Sequence, residues 1–214
     1  RQIIFMDNPG DELIPLNPRD TSIIAAINKV VIEKGYSFLH DSVLSQKLFS
    51  IESDFVETNP KLVRPYLESS TFNPANEIKI LTNDKAGKSG RAKWYIVNRE
   101  VITSGREFLD KWKVVVSSAN AGGQKRSNQL EVLDNYSAFG RVKVALKTFD
   151  TEEEARNFYK YVDSELVRFA FLLTDEALTS LAKKVPDLGN YRNDNGIIDY
   201  SKDINEQLYS LFAI

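Results

Sequence analysis

The sequence predicts an α+β fold, a central and mostly antiparallel sheet flanked by helices. Two observations lead there. Runs of β-forming residues fill the middle of the 214-residue chain, between Ile78 and Phe149. Helical periodicity precedes and follows them, and strands bracketed by helices are the α+β order.

The elements are read in chain order. Residues 1–19 are turn-rich, with Asn8-Pro9-Gly10-Asp11 and Asn17-Pro18 as signals. Asp20 or Thr21 can cap a helix to about Lys34, carrying Ile23, Ile24, Ile27, Val30 and Val31 at helical spacing and stopping at Gly35. Residues 37–76 predict loops and short pieces. Ile78–Thr82 and Lys93–Val97 read as a hairpin with a long polar tip at 83–92. Trp112–Ser118 is a further strand, followed by the polar loop 119–129. In Arg141–Phe149, basic and apolar residues alternate, which predicts a half-buried strand with one basic face. Thr151-Glu152-Glu153-Glu154 is a capping box opening a helix, whose carboxylates also suit its dipole. Its apolar side continues through Phe158, Leu166 and Leu173. Another helical stretch is expected to end near Pro186, then a loop, then a short helix from about Ser201. The division expected is 1–77, a helical and loop segment, and 78–214, the main domain, with one continuous domain as the alternative.

Composition narrows the function. Apolar residues at 42% and charged residues at 27% are ordinary for a globular chain. There is no cysteine, which removes disulfides, thiolate metal sites and cysteine nucleophiles and fits a reducing cytoplasm. No apolar run approaches bilayer length, so no membrane partner is expected. The chain opens at Arg1 without a signal peptide and reads as a piece of something longer.

Charge is unevenly spread. Residues 79–147 hold 14 Lys/Arg against 6 Asp/Glu, while 1–78 hold 7 against 11 and 148–214 hold 7 against 13. A basic centre between acidic ends is a candidate for holding a polyanion, and the cations are expected to converge on one concave flank.

Three constellations follow. The hairpin tip carries Lys85, Lys88, Arg91 and Lys93 among glycines that let a backbone approach a ligand closely. The loop after Ser117 and Ser118 offers Asn120, Gln124, Lys125, Arg126, Asn128 and Gln129. Asn and Gln match adenine edges, Arg matches guanine, and Lys and Ser hold phosphates. Arg141, Lys143 and Lys147 could extend a phosphate track. Each also has a plain reading, as a solvated tip, a polar loop or a solubilising face.

Other motifs carry less. Gly87-Lys88-Ser89 lacks the earlier glycine and the following helix of a phosphate loop. Glu77-Ile78-Lys79, with Asp54 upstream, has the look of a metal-dependent nuclease half-site. It is the one acidic-x-Lys triplet in a chain where chance predicts roughly two, so it carries little. His40, the sole histidine, reads as a surface or packing residue. Trp94, Tyr95 and Trp112 lie in strands and read as packing. No catalytic constellation, metal site or cofactor site emerges.

Four stretches carry a resemblance: FLDKWKVVVSSANAGG at 108–123, TFDTEEEARNFYKYVDSELVRFAFLLT at 148–174, KKVPDLGNY at 183–191 and DINEQLYSLF at 203–212. In this order they resemble the C-terminal target recognition domain of bacterial adenine-specific restriction–modification DNA methyltransferases. The resemblance covers roughly half the chain, from about Ile78. It implies double-stranded DNA as partner, together with a methyltransferase core in the parent chain, which would use S-adenosylmethionine. That core's Asn-Pro-Pro-aromatic motif is missing, since Gly10, Arg19, Lys61 and Ala75 follow the four Asn-Pro pairs. Methyl transfer is therefore not expected from this chain. On this reading the 119–129 loop reads bases, and Lys85, Lys88, Arg91, Lys93 and Arg141 position phosphates. The alternatives are a scaffold domain with a basic docking face and, more remotely, the small nuclease on Glu77.

Overall fold

The computed structural model describes residues 18–119, 130–173 and 179–214. The fold is α+β, with antiparallel sheets and helices. The strands do not form one sheet. They divide into a four-stranded, a three-stranded and a two-stranded sheet.

Helix α1 spans Pro18–Lys34. It begins slightly before the expected cap because proline suits a first helical turn. It ends at Gly35, whose φ of +67° is the left-handed conformation glycine adopts without strain, with the Tyr36 N–H donating to Val31 O at 2.9 Å. Ile27, Val30 and Val31 are its buried side. Strand β1 (Ser37–Phe38) follows, then a single 3-10 turn at Leu39–Ser42. The segment to Glu77 holds only the short helix α2 (Phe55–Thr58) and strand β2 (Arg64–Pro65). It does not stand apart from the rest. Phe49 and Ile51 enter the core beneath the sheets, and Leu44 bridges Ala145.

Strands β3 (Glu77–Asn83) and β4 (Ala92–Asn98) form the hairpin, pairing from Glu77↔Asn98 to Asn83↔Ala92. β2 adds to one side, and β7 (Ser137–Phe139) adds to the other in parallel. The second sheet has the order β6-β5-β8, from Leu130–Leu133, Trp112–Ser117 and Lys143–Phe149.

The three-stranded sheet is covered on both faces, which explains the unbroken Val114-Val115-Val116 run. Val114, Val116, Val144 and Leu146 face a helical layer. Val115, Leu133 and Ala145 face the four-stranded sheet through a second core with Ile78, Ile80, Tyr95, Val97 and Phe139. The helical layer holds α1 with α3 (Glu152–Val162), α4 (Glu165–Leu172) and α5 (Ile204–Phe212). These four helices thus lie on one side of the three-stranded sheet, giving three layers of helices, sheet and sheet, while the short α2 packs by Phe55 and Val56 against the second core.

The helical stretch after Thr151 is broken rather than continuous. α3 stops at Asp163, and Ser164 caps α4, its Oγ accepting from the Val167 N–H at 3.4 Å. Thr151 Oγ1 accepts from the Glu154 N–H at 3.3 Å, as a cap should. Glu154 does not reach the Thr151 backbone. Its carboxylate accepts from the Thr151 hydroxyl at 2.8 Å and from Arg192 Nε at 3.0 Å. Residues 179–184 form turns instead of a helix, and β9 (Pro186–Asp187) pairs with β1. Among the described residues no helix is long and apolar enough to cross a membrane.

Candidate functional site

A cleft of about 520 Å³ opens where the tip end of the hairpin meets the three-stranded sheet. From the hairpin come Leu81, Asn83, Ala92 and Trp94, residues of one face at the two-residue spacing of strands. From the other sheet come Ser117, Glu131 and Lys143. Ser118, Ala119, Arg141, Val142 and Ser53 complete the rim from adjoining loops. Four residues expected to contact DNA therefore meet here: Ser117, Ser118, Arg141 and Lys143. Their hydroxyls are engaged. Ser118 Oγ donates to Arg141 O at 2.5 Å, and Ser117 Oγ accepts from the Ala119 N–H at 3.3 Å.

The hairpin tip, residues 84–91, continues directly from the Asn83↔Ala92 pair. Its shape is fixed internally. Asp84 N–H donates to Arg91 O at 2.9 Å, and Arg91 N–H donates to Asp84 Oδ1 at 2.9 Å. Gly87 turns with φ +80°. At Gly90 a Cβ would stand 2.1 Å from Lys85 O, so this glycine serves the loop's own closure rather than a ligand's approach. Ala86 N–H donates to Glu57 Oε2 at 2.7 Å and ties the tip to α2. Lys93 Nζ lies 2.7 Å from Asp84, and its ammonium holds the Asp84 carboxyl below the usual range, with the Arg91 N–H adding to the effect. Among the described residues no carboxylate lies within ion-pair distance of Lys85, Lys88 or Arg91; Arg91 Nη1 donates to Gly90 O at 3.0 Å.

Among the described residues the broad cationic flank expected from the sequence is not found. Of the twelve described basic residues between 79 and 147, seven hold carboxylates: Lys79, Lys93, Arg99, Lys111, Arg141, Lys143 and Lys147. Glu52, Asp150 and Asp187, from the acidic ends, supply three of the partners. Part of the charge polarity is thus offset inside the molecule. Lys113 is wholly buried.

The single basic face expected on β8 is also corrected. The register of β5 against β8 shifts between Val114 and Val115, so Lys143 opposes Ser117 while Lys147 opposes Val114. A bulge of one residue sends the following side chains to the other side of the sheet. Lys143 therefore points into the cleft, 3.0 Å from Glu131, and Lys147 points to the helical layer, paired with Asp187 over the Tyr191 ring.

Arg141 grips Glu52 with two nitrogens, Nη2 to Oε1 at 3.0 Å and Nε to Oε2. This lowers the Glu52 carboxyl and raises the Arg141 guanidinium relative to their ordinary values. Asn120, Gln124, Lys125, Arg126 and Asn128 lie outside the described residues.

The nuclease reading loses its residues. Arg64 Nη2 holds both Glu77 oxygens, at 2.8 and 3.0 Å, and Asn73 N–H donates to Oε2 at 2.8 Å. The Arg64 contact, then the Asn73 amide, keeps Glu77 ionised below its usual range. Lys79 Nζ is bound to Asp134 at 2.5 Å. His40, half-buried, donates from Nδ1 to Leu181 O at 2.8 Å and is structural. Gly87-Lys88-Ser89 sits in a strand-to-strand loop, without the helix a phosphate loop opens.

Sequence reasoning missed Asn83, Trp94 and Glu131 as cleft residues. The alternation of Leu81 with Asn83 and of Ala92 with Trp94 was the available signal, since it puts those four on one face.

Compared with protein-family models and with curated proteins, the chain matches none.

Proposed function

We propose that this chain is a DNA-binding specificity domain, of the kind that target recognition domains provide to adenine-specific methyltransferases. The observation that carries the reading is the meeting of two stretches distant in sequence. The hairpin end at 83–92 and the segments 117–119 and 141–143 share one cleft. Beside that cleft, the tip presents Lys85, Lys88 and Arg91 with no carboxylate partner among the described residues. Cations so placed neutralise phosphates, and the polar cleft beside them is where bases would be read. The resemblance of residues 108–212 supplies the enzyme class, with the methyltransferase core and its S-adenosylmethionine belonging to the parent chain. The cytoplasm, where such enzymes work, is the compartment this reading implies.

The reading rests on this compact group and not on a wide basic surface. Affinity should accordingly be modest and steeply salt-dependent. The test is fluorescence anisotropy of labelled duplex oligonucleotides across roughly 50 to 200 mM salt. Binding that weakens log-linearly with salt is expected. Absence of binding at the low-salt end overturns the reading.

A further inference from the structure

We infer that the cleft between the hairpin and the three-stranded sheet is a binding site for a single unpaired nucleobase. The inference deepens the DNA-binding reading, and rests on it for the source of the base. A volume of about 520 Å³ falls in the range of small-molecule sites. Half-buried Trp94 lines it with an indole, the largest π-surface a side chain offers for stacking. Asn83, two residues along the same face from Leu81, is half-buried and makes no side-chain hydrogen bond among the described residues. Its amide both donates and accepts, the pattern that matches the edge of a base. Glu131, held by Lys143 at 3.0 Å, adds an acceptor suited to an exocyclic amine.

Electrostatics separate the base from the phosphate. Among the described residues, the two cations at the cleft, Arg141 and Lys143, are each matched by a carboxylate, Glu52 and Glu131. The cleft is thus balanced in charge and favours a neutral heteroaromatic ring over an anion. The unmatched cations stand outside, on the hairpin tip, where the phosphate of the same nucleotide would lie. A base still paired in a duplex has its Watson–Crick edge occupied and its faces stacked, so it cannot use Trp94 and Asn83 together. The ligand is therefore a base outside the stack.

The experiment compares a fully paired duplex with one carrying a single bulged base, and titrates adenosine and cytidine monophosphates against Trp94 fluorescence. Trp112→Phe leaves Trp94 as the only tryptophan of the two; Asn83→Ala, in the otherwise unchanged chain, serves if that variant folds poorly. A preference of at least about fivefold for the bulged duplex is expected, lost in Asn83→Ala while its melting temperature holds. Equal affinity for both duplexes, unaffected by Asn83→Ala, overturns the base site and leaves the DNA-binding reading standing. Binding to neither duplex overturns that reading. In that case quenching by the monophosphates upholds the base site alone, and no quenching removes it as well.

Discussion

Arg141 and Glu52, 89 residues apart, close a two-point ion pair at the rim of the cleft. The pair occupies a guanidinium that would otherwise face incoming phosphate. Glu52→Gln should release it. Duplex affinity should rise several-fold, and the slope of log affinity against log salt should steepen by about one unit, as one more phosphate contact requires. Anisotropy titrations at a series of salt concentrations measure both. An unchanged slope removes Arg141 from the set of phosphate ligands.

The hairpin tip makes the opposite prediction. Lys85→Ala/Lys88→Ala/Arg91→Ala deletes the tip's three cations, none of which a described carboxylate matches. The salt slope should flatten by about two to three units. All three side chains are exposed, so the denaturation midpoint should barely move. Lys29→Ala on α1, far along the chain from the cleft, is the control and should leave binding intact. Equal losses in both variants would show that the tip has no special part.

Local signals were readable in the chain, and cross-sheet ones were not. The hairpin, the Val114–Val116 strand and the Thr151 cap each follow from neighbouring residues. Even the break at Asp163-Ser164 has a local mark, since Ser164 is a good cap. The parallel addition of Ser137–Phe139 to β3 has none, because it depends on pairing across about 58 residues. The bulge at Val114/Val115 is similarly silent, and it alone divides Lys143 from Lys147. For the same reason the tip cations were legible while the cleft was not. Whether Asn83 and Trp94 face a ligand is decided by Ser53, Glu131 and Arg141, which reach them only through tertiary packing.

Lys113 predicts a pH dependence of stability. Its Nζ donates to Leu109 O at 3.0 Å and Lys111 O at 2.6 Å and lies 5.8 Å from the centre of the Phe49 ring. Burial lowers its pKa to about 7; Asp134 and Asp110 pull it upward, and Arg99 pushes it down. In the unfolded chain it titrates near 10.5. Between these values the unfolded state binds a proton that the native state does not, so stability rises with pH. Below about 7 both states are protonated and the full cost is present, at most on the order of 5 kcal/mol. Urea midpoints between pH 7 and about 9, before tyrosines titrate, should rise in the wild type and lie flat in Lys113→Met. Parallel profiles would mean that Lys113 stays charged in the fold.

Thr82 has its hydroxyl buried with no hydrogen-bond partner among the described residues. An unmatched buried hydroxyl costs about 1–3 kcal/mol, and valine keeps its shape. Thr82→Val should therefore raise stability by about 1 kcal/mol, read from urea unfolding. Destabilisation would reveal a partner for the hydroxyl.

Gly140 joins β7 to β8 and so carries the chain from one sheet to the other, with its N–H bonded to Leu81 O at 2.9 Å. A Cβ there would stand 2.6 Å from Thr82 Oγ1 and 3.1 Å from both Ile51 O and Ile51 Cγ2. Gly140→Ala should cost about 1–3 kcal/mol by overpacking. Thr82→Ala removes the nearest of these atoms but leaves the Ile51 backbone in place. The double variant should thus recover part of the loss, with a coupling above about 0.5 kcal/mol between the two sites. Because Gly140 bonds to Leu81, which lines the cleft, the same substitution should also weaken duplex binding by displacing the cleft wall. Additive stabilities together with unchanged binding would show that the two sheets can shift at Gly140 without disturbing the site.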